Sequence, residues 1–87
     1  MSKNASDNLP THTDIENWLI SYVSQLLEIE PIKIDTQVSF NEYGLDSSAA
    51  IVLTGDLQEF IGSELDPTLL FDYPTIDALA NYIVKIE

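Results

Sequence analysis

No cysteine occurs in the 87 residues, which removes disulfides and thiolate metal sites together. Any thiol chemistry in which this chain takes part has to be brought to it. Arginine is also missing, and three lysines face fifteen acidic residues for a formal net charge of -12. A field of that sign repels phosphate backbones and anionic lipid, so neither nucleic acid nor membrane is an expected partner, and proteins with Lys/Arg-rich docking patches are. Histidine occurs once, at position 12, too little for a catalytic Ser/His/Asp arrangement when that residue sits in a polar leader. Glycine occurs only at Gly44, Gly55 and Gly62, too widely spaced to cradle a phosphate. No apolar run approaches the roughly 18 residues of a membrane span, and no basic n-region followed by an apolar segment marks the start. The lack of both predicts a cytoplasmic protein, and a monomer is expected. With 87 residues there is room for one domain with a net stability on the order of 5 to 10 kcal/mol and none for a separate catalytic lobe.

What is present is helical periodicity. Residues 1–12 are polar and aperiodic and read as a flexible leader, with His12 a solvated part of it; residues 13–87 read as the domain. Ile15, Trp18, Leu19, Tyr22, Val23, Leu26 and Leu27 fall on one helical face. Thr13 followed by Glu16 three residues on suggests a capping box, and Pro31 blocks continuation, so the first helix is predicted over about 14–27. The stretch from Glu28 to Leu45 has no sustained period; a connection of this length in so small a domain has to be packed, with Ile32, Ile34, Val38, Phe40 and Tyr43 as its anchors. Asp46 or Ser47 then caps a second helix whose buried face is Ala50, Leu53, Leu57, Phe60 and Ile61, with Gly62 as its stop. Gly55 in mid-helix costs about 1 kcal/mol relative to alanine, which predicts close approach of another backbone there. Asp66 and Pro67 open a short third helix through Leu69, Leu70 and Phe71, and Thr75 begins a fourth that carries Ile76, Leu79, Ala80, Ile83 and Ile86. The expected fold is all-α, a four-helix bundle with a long first loop and a short third helix.

Acid/base chemistry by paired carboxylates needs a cleft, and the acidic residues are scattered evenly, as on a solvated surface. The acidic loop 35–46 fails as a calcium loop, because Phe40 stands where the sharp turn needs glycine and Asp46 where a bidentate glutamate closes the site. Neither a resident metal nor an enzymatic activity is expected.

One segment is left, Gly44-Leu45-Asp46-Ser47, a glycine, an apolar residue, an aspartate and a serine leading into the second helix. With the loop that ends in FNEYGLDS and the later stretch FDYPT at 71–75, it resembles the acyl and peptidyl carrier protein family over roughly residues 14 to 86. The resemblance implies that a phosphopantetheinyl transferase moves 4′-phosphopantetheine from coenzyme A onto Ser47, and that the arm's thiol then holds acyl groups as thioesters for downstream acyl-processing or condensing enzymes. A free-standing carrier resembling the polyketide and nonribosomal peptide type more than the housekeeping fatty-acid carrier is implied, serving a polyketide, nonribosomal peptide or lipid biosynthetic pathway. GLDSSAA is similar to carriers loaded by a fatty acyl-AMP ligase. Tethering raises the effective concentration of the cargo at each docked site. With Asp46 as cap, the Ser47 hydroxyl lies near the positive end of a helix dipole, which suits a phosphodiester. Gly44 permits the tight turn, and Leu45 is core in preference to docking rim. Many carriers have leucine after the modified serine, whereas this chain has Ser48, so a partner contact there is lost or replaced. Ile51 and Val52 cannot both share the buried face with Leu53 and Leu57, which leaves at least one for partners; Asp56 and Glu59 are docking charges by the same resemblance. The competing expectation is a non-carrier acidic helical domain that docks on basic proteins, with Ser47 only a cap.

Overall fold

A computed structural model describes residues 10–86. Nine of the twelve leader residues lie outside the described residues, as does position 87. Four α-helices follow one another, α1 (His12–Leu27), α2 (Ser47–Ile61), α3 (Leu69–Asp72) and α4 (Ile76–Ile86), with a short 3₁₀ helix at Pro31–Lys33 in the long connection. The predicted four-helix architecture is the observed one.

Helix α1 begins earlier than the sequence pattern predicts. The expected Thr13–Glu16 box is not the one formed: the Thr11 hydroxyl accepts from the Asp14 amide and the Asp14 carboxylate accepts from the Thr11 amide, both at 3.1 Å. His12 is therefore the first residue of a helix and not a solvated leader residue; its Nε2 lies 3.7 Å from Asp77 Oδ1 of α4. The helix ends where Glu28 turns left-handed at φ 59°, ahead of Pro31.

Along their length α1 and α4 pack together. Ile15, Leu19 and Val23 of α1, Leu53 and Leu57 of α2, and Ile76, Leu79 and Ile83 of α4 are fully buried. Three apolar residues assigned to buried faces are exposed: Leu26, Phe60 and Ile86. Leu26 lies in the last turn of α1. Ile86 is the final helical residue of α4. Phe60 lies at the margin of the α2 stripe and stacks on Trp18 with ring centroids 5.5 Å apart, while Leu57 and Ile61 take the inward positions.

The long connection is packed, as its length requires, through Ile34 and Phe40, with Val38 and Tyr43 half-buried. Ile32 is not an anchor: it is 89% exposed, since Ile34 takes the inward position two residues on. The Tyr43 hydroxyl accepts from the Asp35 amide at 2.6 Å and donates to the Asp35 carbonyl at 3.2 Å. The connection is also sewn to the start of α4, by Phe40 N–H to the Pro74 carbonyl at 2.7 Å, Asp77 N–H to the Thr36 carbonyl at 3.0 Å and an isolated antiparallel bridge between Ser39 and Thr75. The expected close approach at Gly55 is absent; a Cβ there would meet nothing within 4 Å. Asp66 does not cap α3 directly. Its carboxylate accepts from both the amide and the hydroxyl of Thr68, which lowers its pKa, and α3 starts at Leu69.

Candidate functional site

The chain reaches Ser47 through a run of tight turns. Tyr43 N–H and Leu45 N–H both reach the Phe40 carbonyl at 3.1 Å, and Gly44 N–H reaches the Asn41 carbonyl at 3.0 Å. Gly44 has φ +90°, a region closed to most side chains, so glycine is required at this position. Leu45 then points inward and is buried. Asp46 settles the alternative left open by the sequence: its Oδ1 accepts from the Ala49 amide at 2.9 Å, and its carbonyl accepts from Ala50 N–H at 2.9 Å. Asp46 is the N-cap of α2, which leaves Ser47 as the first helical residue, exposed, with its hydroxyl free of the capping role.

Ser47 opens on a cavity of about 380 Å³. Leu45, Asp46 and Ala50 line it from the α2 side, Phe40 and Asn41 from the long connection, and Leu70, Phe71 and Pro74 from α3 and the turn after it. Phe71 is exposed at its rim. The local motif therefore supplies one wall. The opposite wall comes from residues that local pattern reading had placed only as structural, and no periodicity in the sequence identifies Phe71 as facing Ser47.

Of the expected docking residues, none lines this cavity. Ser48, Ile51, Val52, Asp56 and Glu59 are all exposed along α2. Ile51 and Val52 are 56% and 58% exposed, so both and not just one escape the core. Asp56 has a neighbour within the fold, the phenol of Tyr22 on α1. Burial pushes the Tyr22 pKa up to about 12, and hydrogen bonding to Asp56 and its charge act in the same direction. No helix among the described residues is long and apolar enough to cross a membrane.

A hydroxyl exposed at a capped helix start beside an apolar cavity can be reached by a large enzyme and can carry a flexible substituent. It cannot activate itself, because the group next to it is the carboxylate already engaged as a cap. Comparison with known proteins agrees with that division of labour. The family model described as phosphopantetheine attachment site matches residues 17–83. The acyl carrier protein TtuC of Teredinibacter turnerae is 36% identical over 73 residues, covering 84% of each chain. A phenolphthiocerol/phthiocerol polyketide synthase of Mycobacterium tuberculosis is 35% identical over 74 residues, which are 85% of this chain and 4% of that protein. The chain thus spans a small fraction of the mycobacterial relative. A free-standing peptidyl carrier protein from an Acinetobacter baumannii secondary metabolic pathway superposes with a TM-score of 0.81 at 41% identity, covering 87% of this chain and 95% of that one.

Proposed function

Because the chain belongs to the family of phosphopantetheine attachment-site domains, non-catalytic carriers that take a covalent 4′-phosphopantetheine, we propose that Ser47 is the attachment residue. The supporting observation is positional: Ser47 is exposed at the first residue of α2, with Asp46 rather than itself making the cap. The residues present fit the group. The exposed hydroxyl offers the bond, the N-terminal end of α2 favours a phosphodiester, and the apolar cavity beside it, walled by Phe40, Leu70 and Phe71, gives a substituent a sheltered face.

Once bound, the arm supplies the thiol that a cysteine-free chain lacks, and with it the capacity to carry acyl groups as thioesters. The part played by this chain is to present. Gly44 and Asp46 set the direction of Ser47; the base that takes the Ser47 proton and the cation that neutralises the coenzyme A phosphates belong to the transferase. Ser48, Ile51, Val52, Asp56 and Glu59 form the α2 surface offered to the transferase and to the enzymes that load and unload the cargo. The fifteen acidic residues steer partners with basic docking faces.

The similarity to a polyketide synthase and to a carrier of secondary metabolism supports a place in polyketide or nonribosomal peptide assembly, and the GLDSSAA segment supports loading by a fatty acyl-AMP ligase. Intact-mass measurement after incubation with coenzyme A and a broad-specificity phosphopantetheinyl transferase tests the attachment. Wild type is expected to gain one phosphopantetheine and Ser47→Ala none. No gain in wild type would leave the acidic docking domain as the reading, and an equal gain in Ser47→Ala would move the site. Loading is then tested on the modified protein with an acyl-AMP ligase, ATP and a fatty acid, where a thioester sensitive to hydroxylamine is the expected product.

A further inference from the structure

Away from the Ser47 site, three side chains with metal-ligating atoms converge from two helices. His12 and Glu16 lie one turn apart on α1, a spacing that puts both on the same face, and Asp77 reaches them from the first turn of α4. One ligand atom from each lies within 4.8 Å of the others, and all three side chains are half-buried. The 3.7 Å between His12 Nε2 and Asp77 Oδ1 is too long for a hydrogen bond. It is close to the roughly 3.4 Å that separates two ligands on one tetrahedral ion with bonds of about 2.1 Å.

We propose that His12, Glu16 and Asp77 form a three-ligand site for a divalent cation of the zinc class, which clamps the starts of α1 and α4. An imidazole with two carboxylates selects such an ion over magnesium or calcium, which take oxygen ligands. Neutral imidazole and two carboxylates also balance the charge of the cation, in a chain whose net charge of -12 leaves few cations to offset its acids. The two helix N-termini oppose a cation with partial charges of about +0.5 each, and the two full carboxylate charges outweigh them.

The ligands are held before any ion arrives. The start of α1 is locked by the reciprocal Thr11–Asp14 cap, which also removes Asp14 from competition as a ligand. The start of α4 is locked by the Thr75 hydroxyl accepting from Ala78 N–H at 3.1 Å and by Asp77 N–H on the Thr36 carbonyl. Three protein ligands leave the fourth position of a tetrahedral ion to water. None of these residues takes part in presenting Ser47, so the site stands or falls independently of the carrier assignment.

The test is titration of the EDTA-stripped protein with Zn²⁺, followed by calorimetry and thermal unfolding. Saturable one-to-one binding is expected, with the unfolding midpoint raised by about 5 °C or more at a hundredfold excess over Kd. Mg²⁺ at matched ionic strength is expected to leave the midpoint nearly unchanged. Asp77→Asn, which keeps the shape of the side chain, and His12→Ala are each expected to weaken Zn²⁺ binding more than tenfold. Glu42→Gln, a carboxylate of the long connection, should not. Midpoints in EDTA establish that each variant folds, and Co²⁺ in place of Zn²⁺ reads the ligand set by its visible spectrum. Absence of saturable binding, or an equal Zn²⁺ shift in wild type and both ligand variants, overturns the proposal.

Discussion

The Phe40 amide donates to the Pro74 carbonyl at 2.7 Å, and both residues line the cavity beside Ser47. This bond, with the Ser39–Thr75 bridge beside it, ties the long connection to the turn that precedes α4, and two walls of the site are held as one piece. The Phe40 side chain is buried, so packing and hydrogen bonding act at the same residue. Phe40→Ala is expected to cost about 3 to 5 kcal/mol, a large part of the stability of a domain this small. Urea denaturation at constant slope would read it as a fall in midpoint. A loss below about 1 kcal/mol would mean that the connection contributes little to the core.

Glycine gives a paired prediction of opposite sign. Gly44→Ala forces a Cβ into φ +90° and is expected to destabilise by about 1 to 2 kcal/mol. Gly55 lies in mid-helix with open space around the missing Cβ, so Gly55→Ala is expected to stabilise by about 0.5 to 1 kcal/mol. Equilibrium unfolding of the two variants side by side measures the difference, and a destabilised Gly55→Ala would point to a contact absent from this structure.

Asp46 holds α2 through its hydrogen bond to the Ala49 amide. Asp46→Ala is expected to lose about 1 kcal/mol, while Asp46→Asn, an equally good cap, stays within about 0.5 kcal/mol of wild type. The two variants also separate cap from charge in the phosphopantetheine transfer assay. A deficit in Asp46→Asn at unchanged stability assigns the carboxylate a contact with the transferase.

Tyr22 predicts an alkaline limit. Its folded pKa is raised, to about 12 from 10.0, so the folded state binds the phenolic proton more tightly than the unfolded one. The associated stability is fully present below pH 10 and is lost as pH rises from 10 towards 12. Asp56→Asn removes the neighbouring carboxylate and is expected to lower the Tyr22 titration, with burial still keeping it above the ordinary tyrosine value. Phenolate absorbance, with Tyr22→Phe subtracted from wild type to remove the other three tyrosines, follows the group directly, and an unmoved titration in Asp56→Asn would rule out the pairing.

Much of the fold was legible because its signals are local. The apolar spacing of Ile15, Leu19 and Val23, or of Ile76, Leu79 and Ile83, needs only helical geometry to be read. Gly62 as the stop of α2, at φ 77°, follows from the left-handed cap that glycine favours. The misreadings concern choices between local options or distances between elements. The Thr13–Glu16 spacing predicts a cap at Thr13, and the chain caps two residues earlier, at Thr11. Leu26 and Phe60 match the helical period but stay partly exposed, Phe60 with only the Trp18 ring against it, which depends on the placement of other helices. The open space at Gly55, where a neighbouring backbone was expected, had no local signature at all.

The same boundary runs through the site. The order Gly44-Leu45-Asp46-Ser47 by itself determined the turn, the inward leucine and a helix start capped by Asp46 or Ser47, because each follows from backbone conformation within a few residues. The Asp46 carboxylate on the Ala49 amide then decided which of the two caps and left the Ser47 hydroxyl exposed. Only the tertiary structure decided that Phe40, Phe71 and Pro74 would face that hydroxyl across a cavity, and that Asp77 would stand beside His12. Those neighbours are brought together by burial of apolar surface, which is non-directional along the chain and leaves no periodic mark on the sequences it joins.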